Sequence, residues 1–304
     1  MSQRVLAFNS IEVLMSVKFR RAIAVFAHNE ARNIIDCLDH IKAASGPGDV
    51  CYVLNNGSTD ATDGLVRAYA ASNDFCRLII ISIGDKANAW NVFVHELNVQ
   101  ADLYVFTDGD CTISRASLDA LEAGLAAQPC IHAATGVPTE RASSRLRQQI
   151  LASGGLVGNL YALSAEFVTR LRAQHVRLPV GLIGDDSLVG SLAYWDLNPR
   201  QEWKREHVVA CPAATFSYRK LSPLSLADLR LYYRRKIRYS LRHFQGQLLR
   251  APLKAQGLSA LPSHIAHLYA DASVSIPLVW RGWDTWFDFL ALRKIKQQRN
   301  RMRP

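Results

Sequence analysis

An acidic pair with a glycine between its members follows one of the apolar runs of the chain. The run 103–107 is typical of a buried strand, and Asp108, Gly109 and Asp110 come directly after it. Two carboxylates at the end of a strand can bind Mn²⁺ or Mg²⁺, which take oxygen ligands and complete their shell with phosphate oxygens. A solvated Asp-Gly turn explains the same residues, so the motif alone leaves both alternatives open.

A second acidic pair, Asp185 and Asp186, stands between an apolar run and a helix-like segment at 187–195. Carboxylates in the first turn of a helix are stabilised by the helix dipole, which is one explanation of the pair. The other explanation is catalytic, because a carboxylate in a cleft can act as a general base.

Polar residues also follow the apolar run 50–54. Asn55, Asn56, Gly57, Ser58 and Thr59 come after it and open a helix. Backbone N–H groups at a helix start can receive the polar groups of a nucleotide, although a structural turn explains these residues equally well. The Walker Gly-Lys-Ser/Thr sequence is absent, and no Gly-x-Gly-x-x-Gly follows the first strand. Two common classes of nucleotide site are therefore excluded.

Basic side chains and histidines give weaker signals. Four basic residues cluster on a predicted helix: Arg234, Arg235, Lys236 and Arg238. Such a cluster is typical of a solvated face, of a contact with an anionic surface, or of a phosphate site for guanidinium groups. His28, His132 and His207 show no spacing typical of metal ligands, so we expect ordinary packed or exposed histidines.

The elements that must position these residues alternate along the first half of the chain. Apolar runs at 22–27, 50–55, 77–82, 103–108 and 131–136 are separated by helix-like segments at 31–44, 59–72, 89–100 and 115–127. This alternation predicts an α/β fold with a Rossmann-like, mostly parallel sheet flanked by helices, whose ligands bind at the carboxyl ends of the strands. After residue 140 we expect helical and irregular segments, one strand at 207–213, and the other wall of a cleft.

Composition indicates a folded globular protein and excludes a disordered chain. Of 304 residues, 49% are apolar and 20% charged. The last 86 residues hold 17 basic and 4 acidic residues, whereas the first 218 hold 19 and 22. This imbalance predicts a near-neutral body and a basic, aromatic, helical C-terminal extension at 226–304 that meets anionic partners. The body has no recognition-helix or stacking motif, so we expect no nucleic-acid partner.

The ends of the chain and its cysteines bear on location. Trp280, Trp283 and Trp286 lie among basic residues, which predicts either peripheral contact with an anionic membrane or a helix packed back on the body. The six cysteines form no Cys-x-x-Cys pair, so we expect buried thiols in a reducing compartment. We therefore expect a cytoplasmic protein, at the inner face of the membrane if the extension binds lipid. Residues 1–21 are predicted to be an N-terminal leader, of which 1–14 need not belong to the folded protein.

Seven segments, in this order, resemble the family 2 glycosyltransferases of the GT-A fold. They are FAHNEARNIIDCL, VLNNGSTDATDGLV, GDKANAWNVFV, YVFTDGDCTIS, GNLYALSAEFV, GLIGDDSLVG and YYRRKIRYS. The resemblance runs from about residue 22 to 244. It implies a metal-dependent, inverting hexosyl transfer from a nucleotide-diphosphate sugar, with a UDP-sugar favoured, to a hydroxyl acceptor that is a glycan, a lipid-linked molecule or a small molecule. It also implies a nucleotide-sugar-binding half at 22–140 and an acceptor-binding half at 141–225.

The resemblance assigns a role to individual residues. The nucleotide-sugar site would be lined by Ala27, Asn29, Glu30, Asn55, Gly57, Lys86, Asn91, Asp108, Arg235 and Arg238. Asp108 and Asp110 match the family's D-x-D motif, where Mn²⁺ or Mg²⁺ bridges the donor diphosphate. Asp186, preceded by Asp185, matches the general base that takes a proton from the acceptor hydroxyl. Gly158 and Tyr161 match the acceptor-side segment.

Several positions depart from the family's pattern. Asn55 replaces the usual base-reading Asp, which leaves GDP and dTDP as alternatives to UDP, and Asp185 replaces a Glu. Arg235 and Tyr239 replace the Gln and Trp of the last motif. The membrane helices of processive members are absent here, so we expect a non-processive enzyme. The departures leave two alternatives: a catalytically silent nucleotide-sugar-binding protein and a GT-A-like nucleotidyltransferase.

Overall fold

The computed structural model describes residues 18–270 and 277–301. Its centre is an eight-stranded sheet with the spatial order β3-β2-β1-β4-β7-β6-β8-β5. The strands are β1 Lys18–Ala27, β2 Asp49–Asn56, β3 Cys76–Ile81, β4 Gln100–Asp108, β5 Cys111–Ile113, β6 Ala133–Pro138, β7 Leu160–Ser164 and β8 Val208–Tyr218. The first four strands in this spatial order are parallel, and β7 and β5 run antiparallel to their neighbours. The predicted α/β class is confirmed.

Helices cover both faces of the sheet. They are α1 Ile34–Ala44, α2 Thr62–Ala71, α3 Lys86–Asn91, α4 Ser117–Ala126, α5 Glu140–Ser153, α6 Ala165–Ala173, α7 Asp185–Tyr194, α8 Leu226–Gln256, α9 His267–Ala270 and α10 Asp284–Arg301. A π-helical turn, Val92–Glu96, extends α3, and short 3₁₀ turns occupy Arg205–His207 and Gly257–Ala260.

Side chains of β1 alternate between two cores. Ala22, Ala24 and Phe26 belong to the apolar cluster under α3, α6, α7 and α8, whereas Ile23 and Val25 belong to the one under α1 and α4. Because both faces of the central strands are covered, their middle segments at 22–27, 50–54 and 103–106 are apolar at every position, as the runs in the sequence suggest. The cores fix the strand ends that carry the polar residues.

Two details of the sequence prediction differ from the structure. The strand β7 lies antiparallel between β4 and β6, in a region where we expected only helical and irregular segments before 207. β1 begins at Lys18, inside the segment 1–21 that we expected to be a leader, and residues 1–17 lie outside the described residues. The division of the body at residue 140 stays a prediction, and the sheet is continuous across that point.

The C-terminal extension is helical in its described parts. α8 buries Ile237, Phe244 and Leu248 against the body, and α10 packs on α8. No helix among the described residues is long and apolar enough to cross a membrane. All six cysteines are free thiols, and five of them are buried.

Candidate functional site

The carboxyl ends of β1, β2 and β4 meet at one edge of the sheet. In the parallel register Ala27 pairs with Asn55, and Phe26 pairs with Asp108. Ala27 is buried at the end of β1, and its carbonyl oxygen accepts a hydrogen bond from the Asn56 side chain at 2.9 Å. The polar residues that follow the three strands therefore share one edge, as the sequence predicts.

The loops after β1 and β2 are tied to each other. Asn29 has a left-handed backbone (φ 58°), and its side-chain oxygen accepts a hydrogen bond from the Thr59 amide at 2.8 Å. The Asn29 amide donates to the Ser58 hydroxyl at 2.9 Å, and the Glu30 amide donates to the Thr62 hydroxyl at the same distance. Asn29 thus positions the loop that follows β2.

Asn55 and Gly57 sit on the floor of this edge. The Asn55 side-chain oxygen is buried and has no hydrogen-bond partner in the described structure. A buried carbonyl without a partner is costly unless a ligand or water satisfies it. Gly57 has φ +66°, and a Cβ there would lie 2.8 Å from the Gly84 nitrogen, so this position needs glycine.

Lys86, at the start of α3, joins the separate acidic groups. Its Nζ lies 2.6 Å from Asp108 Oδ1, 3.5 Å from Asp185 Oδ2 and 3.4 Å from the Gly158 carbonyl oxygen. Burial opposes the charge on Lys86, but the carboxylates around it, above all Asp108, raise its pKa. Lys86 is therefore a permanent cation between the two acidic pairs.

The D-x-D pair forms a group that could hold a metal ion. Ligand atoms of Asp108, Asp110 and Cys111 lie within 4.8 Å of one another. Burial raises the pKa of the Cys111 thiol well above its usual range, so the protonated sulfur is a poor ligand and the carboxylates are the suitable ones. Burial also raises the pKa of Asp108 to about 6, against the effect of Lys86. Asp110 faces Arg235, whose Nη2 lies 3.6 Å from Asp110 Oδ2.

The second acidic pair begins α7 on the far side of Lys86. Asp186 Oδ2 accepts hydrogen bonds from the Gly158 amide at 3.1 Å and from Arg242 at 3.2 Å. Both contacts use the same oxygen. Asp185 is buried, its Oδ2 has no hydrogen-bond partner among the described residues, and burial raises its pKa.

Glu30 lies next to the D-x-D pair. Burial raises the pKa of Glu30 to about 7, and the charges of Asp110 and Asp108 act in the same direction. The Asn33 side chain donates to Glu30 at 2.8 Å and opposes this effect. Near pH 7 the Glu30 carboxyl is therefore partly protonated and partly ionised.

Asn91, Tyr161 and Arg238 lie outside the ion pairs around Lys86. Asn91 is buried, and its side chain both donates to the Leu178 carbonyl and accepts from the Leu178 amide, each at 2.8 Å. These two hydrogen bonds connect Asn91 to the backbone of residue 178. Tyr161 is completely buried and stacks on Phe106, and its hydroxyl has no hydrogen-bond partner among the described residues. Its place on the acceptor side stays a prediction. Arg238 is exposed and forms no ion pair among the described residues.

Arg242 is the site residue that the sequence analysis missed. It lies seven residues after Arg235 on α8, which puts both on one helix face, and it contacts Asp186 and the Ser187 hydroxyl. The available signal was the seven-residue spacing from Arg235, but the predicted basic cluster ends at Arg238.

The family profile for "Glycosyl transferase family 2" matches residues 22–175, half of the chain. The matched segment includes the carboxyl ends of β1, β2 and β4. The chain belongs to glycosyl transferase family 2. A comparison with curated protein sequences gives no significant match.

Solved structures share the GT-A fold of this glycosyltransferase. A mannosyltransferase from Pyrobaculum calidifontis, in complex with GDP-Man and Mn²⁺, is 20% identical, with a TM-score of 0.60 over 94% of this chain and 88% of that chain. S. aureus TarS 1-349, in complex with UDP-GlcNAc, is 15% identical, with a TM-score of 0.50 over 93% and 92%. Glucosyl-3-phosphoglycerate synthase from Mycobacterium tuberculosis, in complex with Mn²⁺, UDP and phosphoglyceric acid, is 20% identical, with a TM-score of 0.50 over 77% and 80%. At these identities the similarity concerns the fold.

Proposed function

We propose that this glycosyltransferase catalyses a metal-dependent, inverting, non-processive transfer of a hexosyl group from a nucleotide-diphosphate sugar to a hydroxyl acceptor. The observation that carries the proposal is the chain of contacts from Asp108 through Lys86 and Gly158 to Asp186. It joins the donor-side carboxylates to a candidate base within one site. A catalytically silent binding protein would not need a base at this point.

The donor proposal rests on the edge formed by β1, β2 and β4. The unpartnered Asn55 oxygen offers a hydrogen-bond acceptor to a base, and Gly57 keeps the adjacent backbone open. Similar folds have been crystallised with GDP-Man, UDP-GlcNAc and UDP, which supports a nucleotide sugar as the donor class. Among these we favour a UDP-sugar.

The metal in this proposal is Mn²⁺ or Mg²⁺, held by Asp108 and Asp110. Hard carboxylate oxygens suit either ion, and two of the similar structures contain Mn²⁺. When bound, the ion neutralises the negative charge that develops on the leaving diphosphate. Lys86 pairs with Asp108, and Arg235 pairs with Asp110. In this proposal both cations also contact phosphate oxygens of the donor.

Asp186 is the proposed general base. Gly158 and Arg242 both hold its Oδ2, which leaves Oδ1 without a hydrogen bond from the described residues. The acceptor oxygen forms a bond to the anomeric carbon, the bond from that carbon to the diphosphate breaks, and the hydroxyl proton passes to Asp186. A single displacement of this kind inverts the anomeric configuration.

The C-terminal extension supports a peripheral contact with an anionic membrane, which would bring a lipid-linked acceptor to the cytoplasmic face. Trp280, Trp283 and Trp286 are 82%, 93% and 56% exposed. Phe287, by contrast, packs against Tyr233 of α8. Exposed tryptophans beside basic residues are typical of surfaces that enter the lipid headgroup region.

The catalytic proposal is tested with the Asp186→Asn variant. Donor consumption with a panel of UDP-, GDP- and dTDP-sugars should fall by about 10² to 10⁴-fold, the usual contribution of a general base. Donor binding by calorimetry should persist, and a variant of an exposed aspartate, Asp74→Asn, should behave as wild type. Full activity of Asp186→Asn would exclude this base, and the absence of turnover by wild type with bound donor would favour the silent binding protein.

The membrane proposal is tested by vesicle sedimentation. Binding to phosphatidylglycerol vesicles should exceed binding to phosphatidylcholine vesicles, and Trp283→Ser combined with Trp286→Ser should weaken it by about a hundredfold. Ile80→Ser, which alters an exposed apolar residue of the body, is the matched control. Equal binding by the double variant would exclude this surface.

A further inference from the structure

Two histidines and one aspartate meet at the edge of the sheet opposite the donor site. His132 precedes β6 and His207 precedes β8, which are parallel neighbours, and the His132 amide donates to the His207 carbonyl at 2.8 Å. Asp196 follows the last turn of α7. Ligand atoms of the three side chains lie within 4.8 Å of one another.

The polar atoms of this cluster are buried and lie close to one another. His132 Nε2 lies 2.9 Å from Asp196 Oδ1, and Arg170 Nη2 lies 2.6 Å from the same oxygen. His132 is only 7% exposed. A buried carboxylate needs a compensating positive charge, which either Arg170 or a bound cation can supply.

We propose that His132, His207 and Asp196 form a structural site for a zinc-type divalent cation. Two imidazoles and one carboxylate are a donor set that suits Zn²⁺, with a fourth position left for water. The site is separate from the D-x-D carboxylates at the opposite edge of the sheet. It was not predicted from sequence, because the three ligands lie on distant segments and show no short spacing.

Contacts with neighbouring residues orient both imidazole rings without a bound cation. The His132 ring stacks on Phe167 with ring centres 5.0 Å apart and an interplanar angle of 11°. His207 Nδ1 lies 3.2 Å from the Ala193 carbonyl oxygen, so a proton on Nδ1 leaves the lone pair on Nε2.

Arg170 competes for the same carboxylate. Its Nη2 lies 2.6 Å from Asp196 Oδ1 and also donates to the Asp196 carbonyl oxygen at 3.2 Å. The contact with the carbonyl oxygen can hold the guanidinium in place when a cation binds the carboxylate. Removal of the positive charge of Arg170 should therefore strengthen cation binding.

The candidate cation site lies at the end of α7 that is away from the cleft. The first turn of α7 carries Asp185 and Asp186, and its last turn leads to Asp196. A cation that joins Asp196 to the segments before β6 and β8 fixes the helix end away from the cleft. The expected effect is on stability, and the inference does not depend on the proposed transfer reaction.

The test uses the full chain with Asp108→Asn and Asp110→Asn, so that the D-x-D pair cannot bind metal. After treatment with a chelator, titration with Zn²⁺ should give one ion per chain, and Co²⁺ should give the absorption bands of a tetrahedral site. At zinc a hundredfold above Kd the unfolding temperature should rise by about 5 °C. The absence of Zn²⁺ and Co²⁺ binding to this folded protein would overturn the proposal.

Further variants assign the ligands. His132→Gln and His207→Gln should each weaken zinc binding by at least about 10-fold to 100-fold, whereas the exposed His28→Gln should not change it. Arg170→Gln should tighten zinc binding, which a simple ion-pair cluster does not predict. Unchanged zinc binding in both histidine variants, or weaker binding in Arg170→Gln, would contradict the assignment.

Discussion

Glu30 makes the stability of the unliganded protein depend on pH. Burial and the charges of Asp110 and Asp108 raise the pKa of this carboxyl from 4.5 to about 7. Between these two values the folded state binds more protons than the unfolded state. The free energy of unfolding should therefore decrease as the pH rises through this range, with the full stability present below about pH 4.5.

The size of the effect follows from the two pKa values. The difference between about 7 and 4.5 corresponds to about 3 kcal/mol, at 1.36 kcal/mol per pH unit. Glu30 is partly exposed, and solvent screening reduces the expected effect to about 1.5 kcal/mol. Glutamine resembles the protonated carboxyl, so Glu30→Gln should match wild type at pH 4.5 and exceed its stability by about 1.5 kcal/mol at pH 8.

Urea unfolding from pH 4.5 to 8.5 measures this difference directly. Glu166→Gln, at an exposed position in α6, is the control and should follow the wild-type profile. Mn²⁺ bound at Asp108 and Asp110 would offset two of the negative charges that act on Glu30, so the ion should also reduce the slope. Parallel profiles of Glu30→Gln and wild type over the whole range would refute the reasoning.

Three further substitutions test separate parts of the site. Asn91→Ala leaves both backbone groups of Leu178 without partners and should cost about 2 to 4 kcal/mol of unfolding free energy in urea, with donor affinity per folded molecule retained. Gly57→Ala forces a Cβ against Gly84 at a positive φ and should cost about 1 to 3 kcal/mol in the same assay. Asp110→Asn should remove the Mn²⁺-dependent rise in unfolding temperature and reduce transfer by about a hundredfold or more. A normal Mn²⁺ response in this variant would exclude Asp110 as a ligand.

The donor-side half of the fold could be predicted from sequence because the middles of β1, β2 and β4 are buried on both faces. Their segments 22–27, 50–54 and 103–106 are apolar at every position, a pattern that few other environments produce. Parallel pairing then brings all their carboxyl ends to one edge. Asp108 and Asn55 are therefore placed together by topology alone.

After residue 140 the sequence pattern indicates secondary structure less clearly. β7 has five residues, Leu160–Ser164, and lies next to α6 without a turn between them, so no alternation with a helical segment marks it. Asn91 stands at the end of a motif that the family resemblance assigns to the donor site, but its partner Leu178 lies 87 residues away. Contacts of that range depend on how the loops pack, which a local pattern does not contain.

The same limit explains why neither acidic pair could be interpreted from its own neighbours. Asp186 stands in a helical first turn, where the dipole alone would account for it, and Asp108 precedes a glycine, where a turn would account for it. Their meaning comes from the Gly158 backbone, whose amide donates to Asp186 and whose carbonyl oxygen accepts from Lys86. Lys86 and Asp186 therefore meet across one backbone unit. The spatial coincidence of the two pairs, and not either motif, is what supports catalysis over a pair of structural turns.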